Sequence, residues 1–377
     1  MGERIHDVAI VGGGLSGLHT AWELQRGASE VNFLLLEARE RLGGRILTET
    51  EGREGAPGFG GFDLGPAWFW PGQPRMLELI EDLGLTGEVV DQFADGDELV
   101  ERARGQVIRG RFGVSMGGSY RLRGGMGQLI GRLAARLPGR AIRLGCRVER
   151  VERGEGHLAL RVSDGTSFRA RRVVLALPPR VALERLELLP APDAARRRAL
   201  RAIPTWMASQ GKFLALFKAP FWRDAGLSGD AVSMVGPLGE IHDVTPSEDS
   251  PGALFGFFAL PPAARRVPGE ELEQACRAQL QRLFGARSPR PERVFLKDWS
   301  GDPLTATAED LAGPAAHSLL ELQEVQEPGW SGRLVWSGSE SAGVRERHNG
   351  YLEGALEASL RAARILRQPL AAGRGLC

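Results

Sequence analysis

Residues 5–45 read IHDVAIVGGGLSGLHTAWELQRGASEVNFLLLEARERLGGR, and their order decides the fold. Ile5, Val8, Ala9, Ile10 and Val11 form a short, mostly apolar strand that runs straight into Gly12-Gly13-Gly14-Leu15-Ser16-Gly17. Leu15, Leu18, Trp22 and Leu24 then recur at helical spacing, and a second apolar run, Val31 to Leu36, ends on Glu37. A strand, a tight glycine turn, a helix and a second strand closing on an acid make a dinucleotide-binding βαβ unit. Each residue type has a reason. Gly12 permits the turn, Gly14 lets backbone amides approach a diphosphate, and Gly17 lets the helix lie close on its strand. The helix N-terminus then faces the phosphates with the positive end of its dipole, and Glu37 is placed to accept hydrogen bonds from a ribose.

Outward from this unit the chain is long enough, at 377 residues, for a large core and two domains. Composition is that of a soluble globular protein, 42% hydrophobic and 25% charged, and a net charge of +1 points to neither nucleic acid nor an acidic membrane. Arginine supplies nearly all the positive charge; only Lys212, Lys218 and Lys297 are lysines. Cys146, Cys276 and Cys377 are scattered and form no CxxC or Cys/His cluster, which argues against zinc or a disulfide framework and for a reducing cytoplasm. The first apolar run enters the glycine turn rather than a cleavage site, and no run reaches the length of a membrane span.

Further along, a glycine-dense stretch, Gly52 to Gly65, is too polar for regular structure and leads to the aromatic cluster Trp68-Phe69-Trp70 on a turn. Such aromatics either wall a pocket or plug the space under a loop. Pro74 opens a helix stopped by Gly84, and Gly124 to Gly127 precede a second closed by Pro138-Gly139. Strands are expected at Ile142–Val151, Leu158–Val162, Val173–Leu177, Met207–Phe217, Val294–Trp299 and Leu334–Trp336. Helices are expected around Leu272–Leu283 and from Tyr351 to about Leu366, before a short mobile tail, Gln368 to Cys377. With no repeat or linker in view, each domain is expected to be assembled from separated segments.

Several of these stretches together resemble the flavin-containing amine oxidase family of monoamine, polyamine and L-amino acid oxidases. The match rests on the N-terminal fingerprint with Glu37-Ala38-Arg39 and Leu42-Gly43-Gly44-Arg45, on Asp63–Pro66, Gly124–Leu129 and Val174–Pro179, and on Lys212 with Phe221-Trp222. It continues through Trp336-Ser337-Gly338-Ser339-Glu340-Ser341 and Gly350-Tyr351-Leu352-Glu353-Gly354-Ala355. The resemblance implies a Rossmann-like FAD-binding domain of the three-layer ββα type and a second α+β substrate domain on a mixed sheet. The first would comprise residues 1–72, 120–205 and 328–377, and the second residues 73–119 and 206–327. It implies FAD held by Gly12, Gly14, Ser16, Gly17, Glu37, Arg39, Gly44, Arg45, Ala67, Trp68, Val148, Gly338, Glu340 and Leu352. Arg45 would neutralise the diphosphate, Val148 would offer backbone groups to the adenine, and Gly338–Glu340 would meet the flavin end. The helix starting at Gly350 would aim its N-terminus at the pyrimidine side of the ring.

By the same resemblance Lys212 would reach flavin N5 through a water, Tyr351 would flank the substrate amine and Trp299 would stand near the flavin. A lone lysine kept in an apolar strand of an arginine-rich chain fits a demand for its shape and adjustable pKa, though a lysine can also pack its stem and send its head to solvent. His348 is more readily a loop histidine. Three departures limit the transfer. No cysteine occurs in Pro303–Asp310, so FAD should be non-covalent, and Glu309 stands near the place of the second cage aromatic. Trp68 replaces the arginine that clamps amino-acid carboxylates. The segment between Trp70 and Gly124 is short. The expected activity is therefore oxidation of an amine C–N bond by hydride transfer to flavin N5, giving an imine and hydrogen peroxide, with dioxygen or another acceptor taking the electrons. The alternatives are an FAD-dependent desaturase or dehydrogenase acting on a C–C or heterocyclic bond, and a flavin-bound interaction protein.

Overall fold

The computed structural model describes residues 5–27, 31–50, 61–248, 250–313, 316–318, 322, 329–330, 332–342 and 348–368. Most of the glycine-dense stretch, residues 52–60, and the tail beyond Gln368, Cys377 included, lie outside the described residues.

The strand Ile5–Val11 is the axis of the first sheet. It pairs in parallel with Phe33–Leu36 on one side and with Ser167–Leu175 on the other. Ile142–Arg143 extends the sheet beyond Phe33–Leu36, and Leu334–Trp336 runs parallel to Ser167–Leu175. The antiparallel strands Val148–Arg153 and Leu158–Val162 build out from the other half of Ser167–Leu175. Strand Ile5–Val11 has helices on one face and this β layer on the other, so its residues 8–11 are apolar on both sides rather than alternating. Ile10 packs with Leu18 and Leu356 beneath the helices Leu15–Gly27 and Leu352–Arg367, while Ala9 and Val11 meet Leu158, Leu160 and Trp336 on the opposite side. This is a three-layer α/β domain.

The second sheet has seven strands in the spatial order Arg293–Asp298, Gly211–Phe217, Gly252–Phe258, Leu238–Asp243, Leu227–Ser233, Asp97–Glu101 and Val107–Gly110. It is mixed, because Leu227–Ser233 pairs in parallel with Asp97–Glu101 while its other neighbours are antiparallel. The helix Gly269–Phe284 covers one face through Leu272, Cys276, Leu280 and Leu283, against Phe213, Phe217 and Trp222. The other face carries Leu214, Leu216, Phe255 and Ala253, and meets Phe62, Leu64, Ala67 and Trp68 of the first domain. That shared face holds the candidate site.

Three expectations are corrected. Helix Pro74–Asp82, assigned above to the second domain, packs with the first, because Met76, Leu79 and Ile80 bury against the core under Leu18 and Leu356. Its N-terminal amides of Arg75 and Met76 donate to the Glu353 carboxylate at 2.9 and 2.8 Å, a charged cap supplied from another helix. The run Ile142–Val151 is two strands, broken where Gly145 takes a positive φ of 65°. The lysine strand begins at Gly211 rather than Met207, since Met207 lies at φ 61° in a turn that re-aims the chain.

Candidate functional site

The glycine turn sets the first half of the site. Gly12 has φ 110°, and a Cβ on Gly17 would sit 1.9 Å from Gly12 O, so both glycines are demanded by the turn itself. Gly14 differs: a Cβ there would meet nothing nearer than Gly43 O at 3.8 Å and Gly44 Cα at 3.9 Å. Open space at a glycine between two backbone segments is a cradle for a group from outside the chain, and a diphosphate fits it. The helix ladder opens with Leu18 N donating to Gly14 O at 3.0 Å, so the amides before it face outward from the N-terminal end.

Glu37 is buried and shapes this turn. Its carboxylate accepts from Gly13 N at 2.7 Å and from Arg39 N at 2.8 Å. The side chain of Arg39 reaches to Asp302 at 2.9 Å, and thereby ties the fingerprint to the loop that follows Trp299. Ser16 Oγ lies 2.8 Å from Ser337 Oγ, which joins the first helix to the strand end before Gly338. Val148 is buried at the start of its strand, paired with Val162.

Arg45 and Glu340, expected at the diphosphate and the flavin end, lie against each other: Nη1 is 2.7 Å from Glu340 Oε1, and Nη2 donates to Oε2 at 3.0 Å and to Ser339 Oγ at 2.9 Å. The Glu340 side chain is fully buried, so the guanidinium is what keeps its charge tolerable. Arg45→Met is expected to destabilise the fold by about 3 kcal/mol, from stranding that carboxylate. Arg45→Met combined with Glu340→Gln should recover most of the loss, and urea unfolding of the two variants checks both expectations.

Lys212 forms the second half. It is buried on the shared sheet face, where Nζ donates to Gly65 O and lies 4.4 Å from the Phe255 ring centroid and 5.0 Å from that of Phe257. Burial lowers its pKa from 10.5 to about 7, with nearby Asp63 opposing the shift. Asp63 is itself pushed up to about 6 by burial, against hydrogen bonds from Thr48 and Met126 N. Near neutrality the amine therefore changes charge inside an apolar pocket. Trp299 stands beside it, buried, its indole donating to Leu64 O at 2.9 Å. Trp68 packs edge-on against Phe255 and His242, both at 5.4 Å, and its indole donates to Gln92 Oε1. Trp68 is thus a wall of this face and not a loose loop aromatic.

Tyr351, the residue before helix Leu352–Arg367, brings in two side chains that sequence reasoning missed. His317 stacks on it at 5.1 Å, and Trp206 stacks on His317 at 3.7 Å. Trp70 meets Tyr351 edge-on at 6.3 Å. Gly350 makes room for this group, since a Cβ there would lie 2.5 Å from that of Trp206. Neither Trp206 nor His317 had a motif to reveal it; only the turn before Gly211 carries Trp206 inward. Glu309, considered for a cage position, instead faces Arg180 and Arg201 at 3.9 and 3.6 Å, half-exposed. His348 pairs with Glu357 at 3.0 Å. Lys218 is exposed just past the end of the strand Gly211–Phe217, while Lys297 sits over the Trp299 ring at 4.5 Å.

Set beside known proteins, residues 94–367 match the family described as flavin containing amine oxidoreductase, and residues 10–83 match an NAD(P)-binding Rossmann-like domain. The chain is 24% identical to "Probable flavin-containing monoamine oxidase A" of Dictyostelium discoideum, with 97% of this chain and 98% of that one aligned. It is 22% identical to the human flavin-containing amine oxidase B, over 95% of this chain and 85% of the relative. Among solved structures it is similar in fold to putrescine oxidase bound to putrescine (TM-score 0.77, 21% identity, 97% and 100% of the two chains). It is similar also to cyclohexylamine oxidase from Brevibacterium oxydans (TM-score 0.78, 20% identity, 96% and 99%). Among the described residues no helix is long and apolar enough to cross a membrane.

Proposed function

We propose that this chain, which belongs to the flavin-containing amine oxidoreductase family and is a flavin-dependent amine oxidase, holds FAD non-covalently and oxidises small aliphatic amines. The observation that carries the reading is Lys212: a buried amine among Trp68, Phe255, Phe257 and Trp299, on the sheet face turned toward the nucleotide-binding domain. The open cradle at Gly14, the acid at Glu37 and the Ser16–Ser337 contact suit the diphosphate and ribose of FAD, with Gly44 and Arg45 alongside. Ala67 and Trp68, Gly338 and Leu352 are proposed around the ring. Putrescine and cyclohexylamine, named for two proteins of similar fold, set the kind of amine to try first.

Bound FAD supplies the hydride acceptor and returns the electrons to dioxygen or another acceptor. The protein's part is positioning and charge. Trp68, Trp299 and the phenylalanines exclude water, which keeps the substrate amine uncharged and its α-carbon ready to lose hydride. Tyr351, with Trp70 and Trp206, borders the approach, and its ring face attracts an amine N–H or ammonium. Lys212, neutral above about pH 7, offers a lone pair and N–H groups to an ordered water without adding a full charge. The imine product is released and hydrolysed by water.

The test is an anaerobic panel of amines, amino acids and cyclic hydrocarbons, with flavin absorbance as readout. Bleaching by aliphatic amines and not by the others is expected; bleaching only by compounds lacking nitrogen overturns the reading. In the same preparation, acid precipitation is expected to release all the yellow colour into the supernatant, because Pro303–Asp310 contains no cysteine. Colour retained in the pellet would mean a covalent bond.

A further inference from the structure

Across the shared face, Lys212, Phe257 and Glu240 are register partners on three successive strands. Their side chains fall in one row, two strand spacings or roughly 10 Å from end to end. Beside Glu240 on the same face stands His242, register partner of Phe255, the ring that also contacts Lys212. His242 is 2% exposed, and its Nδ1 lies 2.8 Å from Oδ1 of Asp230, a carboxylate with no exposure at all. Its Nε2 points at Glu240 Oε2, 3.8 Å away, too far for a hydrogen bond. Among the described residues His242 Nε2 and Asp230 Oδ2 are buried without a hydrogen-bond partner. The Glu240 side chain is 60% exposed, and no described Arg or Lys lies within ion-pair reach of it.

Charge counting makes this arrangement directional. A fully buried carboxylate needs a counterion, and among the described residues the one that pairs with Asp230 is the His242 imidazolium. Burial works against that charge, but the hydrogen bond to Asp230 and the fields of Asp230 and Glu240 outweigh it and raise the pKa of His242. One cation then lies between two carboxylates. The surplus negative charge belongs to Glu240, whose side chain reaches the open side of the face. We infer that Glu240, oriented by the Asp230–His242 pair, is an anionic pole at the far end of the substrate cavity and selects amines that carry a second ammonium group. The inference rests on the amine oxidase reading and extends it to a substrate class: aliphatic diamines of about four to six carbons, a length set by the strand spacing between Lys212 and Glu240. Glu240 would touch substrate. His242 and Asp230 would act through it, as positioning residues.

The test compares 1,5-diaminopentane with n-pentylamine, which differ only in the second charge, on FAD-loaded wild type and on Glu240→Gln. In anaerobic flavin reduction the wild type is expected to show at least a tenfold lower half-saturation for the diamine at a similar limiting rate. Glu240→Gln should abolish that preference, bringing the half-saturation for the diamine to that for n-pentylamine in the same variant. A second readout needs no turnover: on dithionite-reduced protein the diamine should raise the thermal midpoint of wild type, and not of Glu240→Gln, above the value with n-pentylamine. His242→Asn should weaken diamine binding in part and alter its pH dependence. Equal handling of the two amines by wild type, or a diamine preference that survives in Glu240→Gln, overturns the inference and leaves amine oxidation standing. Failure of both amines to reduce the flavin removes the reading beneath it.

Discussion

Lys212→Met is expected to slow flavin reduction by about 10²-fold, the loss typical when one preorganised polar group is removed from an enclosed reaction site. Methionine keeps the stem that packs on Phe255 and Phe257 and deletes only the nitrogen, so bound flavin and the far-ultraviolet spectrum should be unchanged. Rapid-mixing reduction at saturating substrate is the measurement, and a rate within twofold of wild type would exclude Lys212 from the chemistry. The pH profile adds a second signature. Burial brings the amine to about 7, so the limiting rate of wild type should rise through that value and level off above it, and the variant should lack this limb. Stability carries the same sign. The folded pKa is below the unfolded 10.5, so between these values the unfolded chain binds more protons, and the fold gains stability as pH rises. Below about 7 both states are protonated and the buried charge costs its full amount. Lys212→Met should flatten that rise between pH 7 and 10.5, as chemical denaturation at several pH values would show.

Gly17→Ala is expected to have the larger effect on the cofactor. The added carbon would lie 1.9 Å from Gly12 O, within the turn's own backbone, and 3.3 Å from Ala176 Cβ on the neighbouring strand. No side chain can swing aside to relieve this contact. Either the helix lifts from the strand or Gly12 rotates, and both displace the amides that face the cradle at Gly14. Overpacking of this kind costs about 1–3 kcal/mol, which a domain this size can survive, so the expected result is folded protein purified without most of its yellow colour. The ratio of absorbance at the flavin band to that at the protein band reports it. Gly14→Ala is the informative companion. Its carbon meets nothing closer than 3.8 Å in the chain, so it should fold with undiminished stability and lose affinity only for the ligand. If Gly14→Ala keeps full flavin content, the cradle is not where the diphosphate rests.

The first domain was legible because a local rule writes it. The turn residues, the period of the first helix and the acid closing the second strand all lie within residues 5–37, and the structure keeps each of them. Lys212 stood out by contrast with a chain rich in arginine. What could not be read was set by distant partners. Helix Pro74–Asp82 has the same amphipathic pattern whichever core it joins, and only the cap from Glu353 and the contact with Leu18 decide between them. Trp206 enters the site because Met207 turns the chain with a positive φ, a conformation with no glycine to announce it. Asp230 and His242 sit in strands of ordinary appearance, and each is explicable only through the other. Glu309, chosen by counting from Trp299, follows its own short helix, Ala308–Leu311, outward to two arginines.

Two consecutive carbonyls of one domain, Leu64 O and Gly65 O, are grasped by the indole of Trp299 and the amine of Lys212 from the other. The seam between the two bodies therefore passes through the reacting residues themselves. A hinge that parted the domains would dismantle the centre with every visit of substrate. Substrate entry is therefore expected to leave these two contacts in place and to need only the movement of side chains.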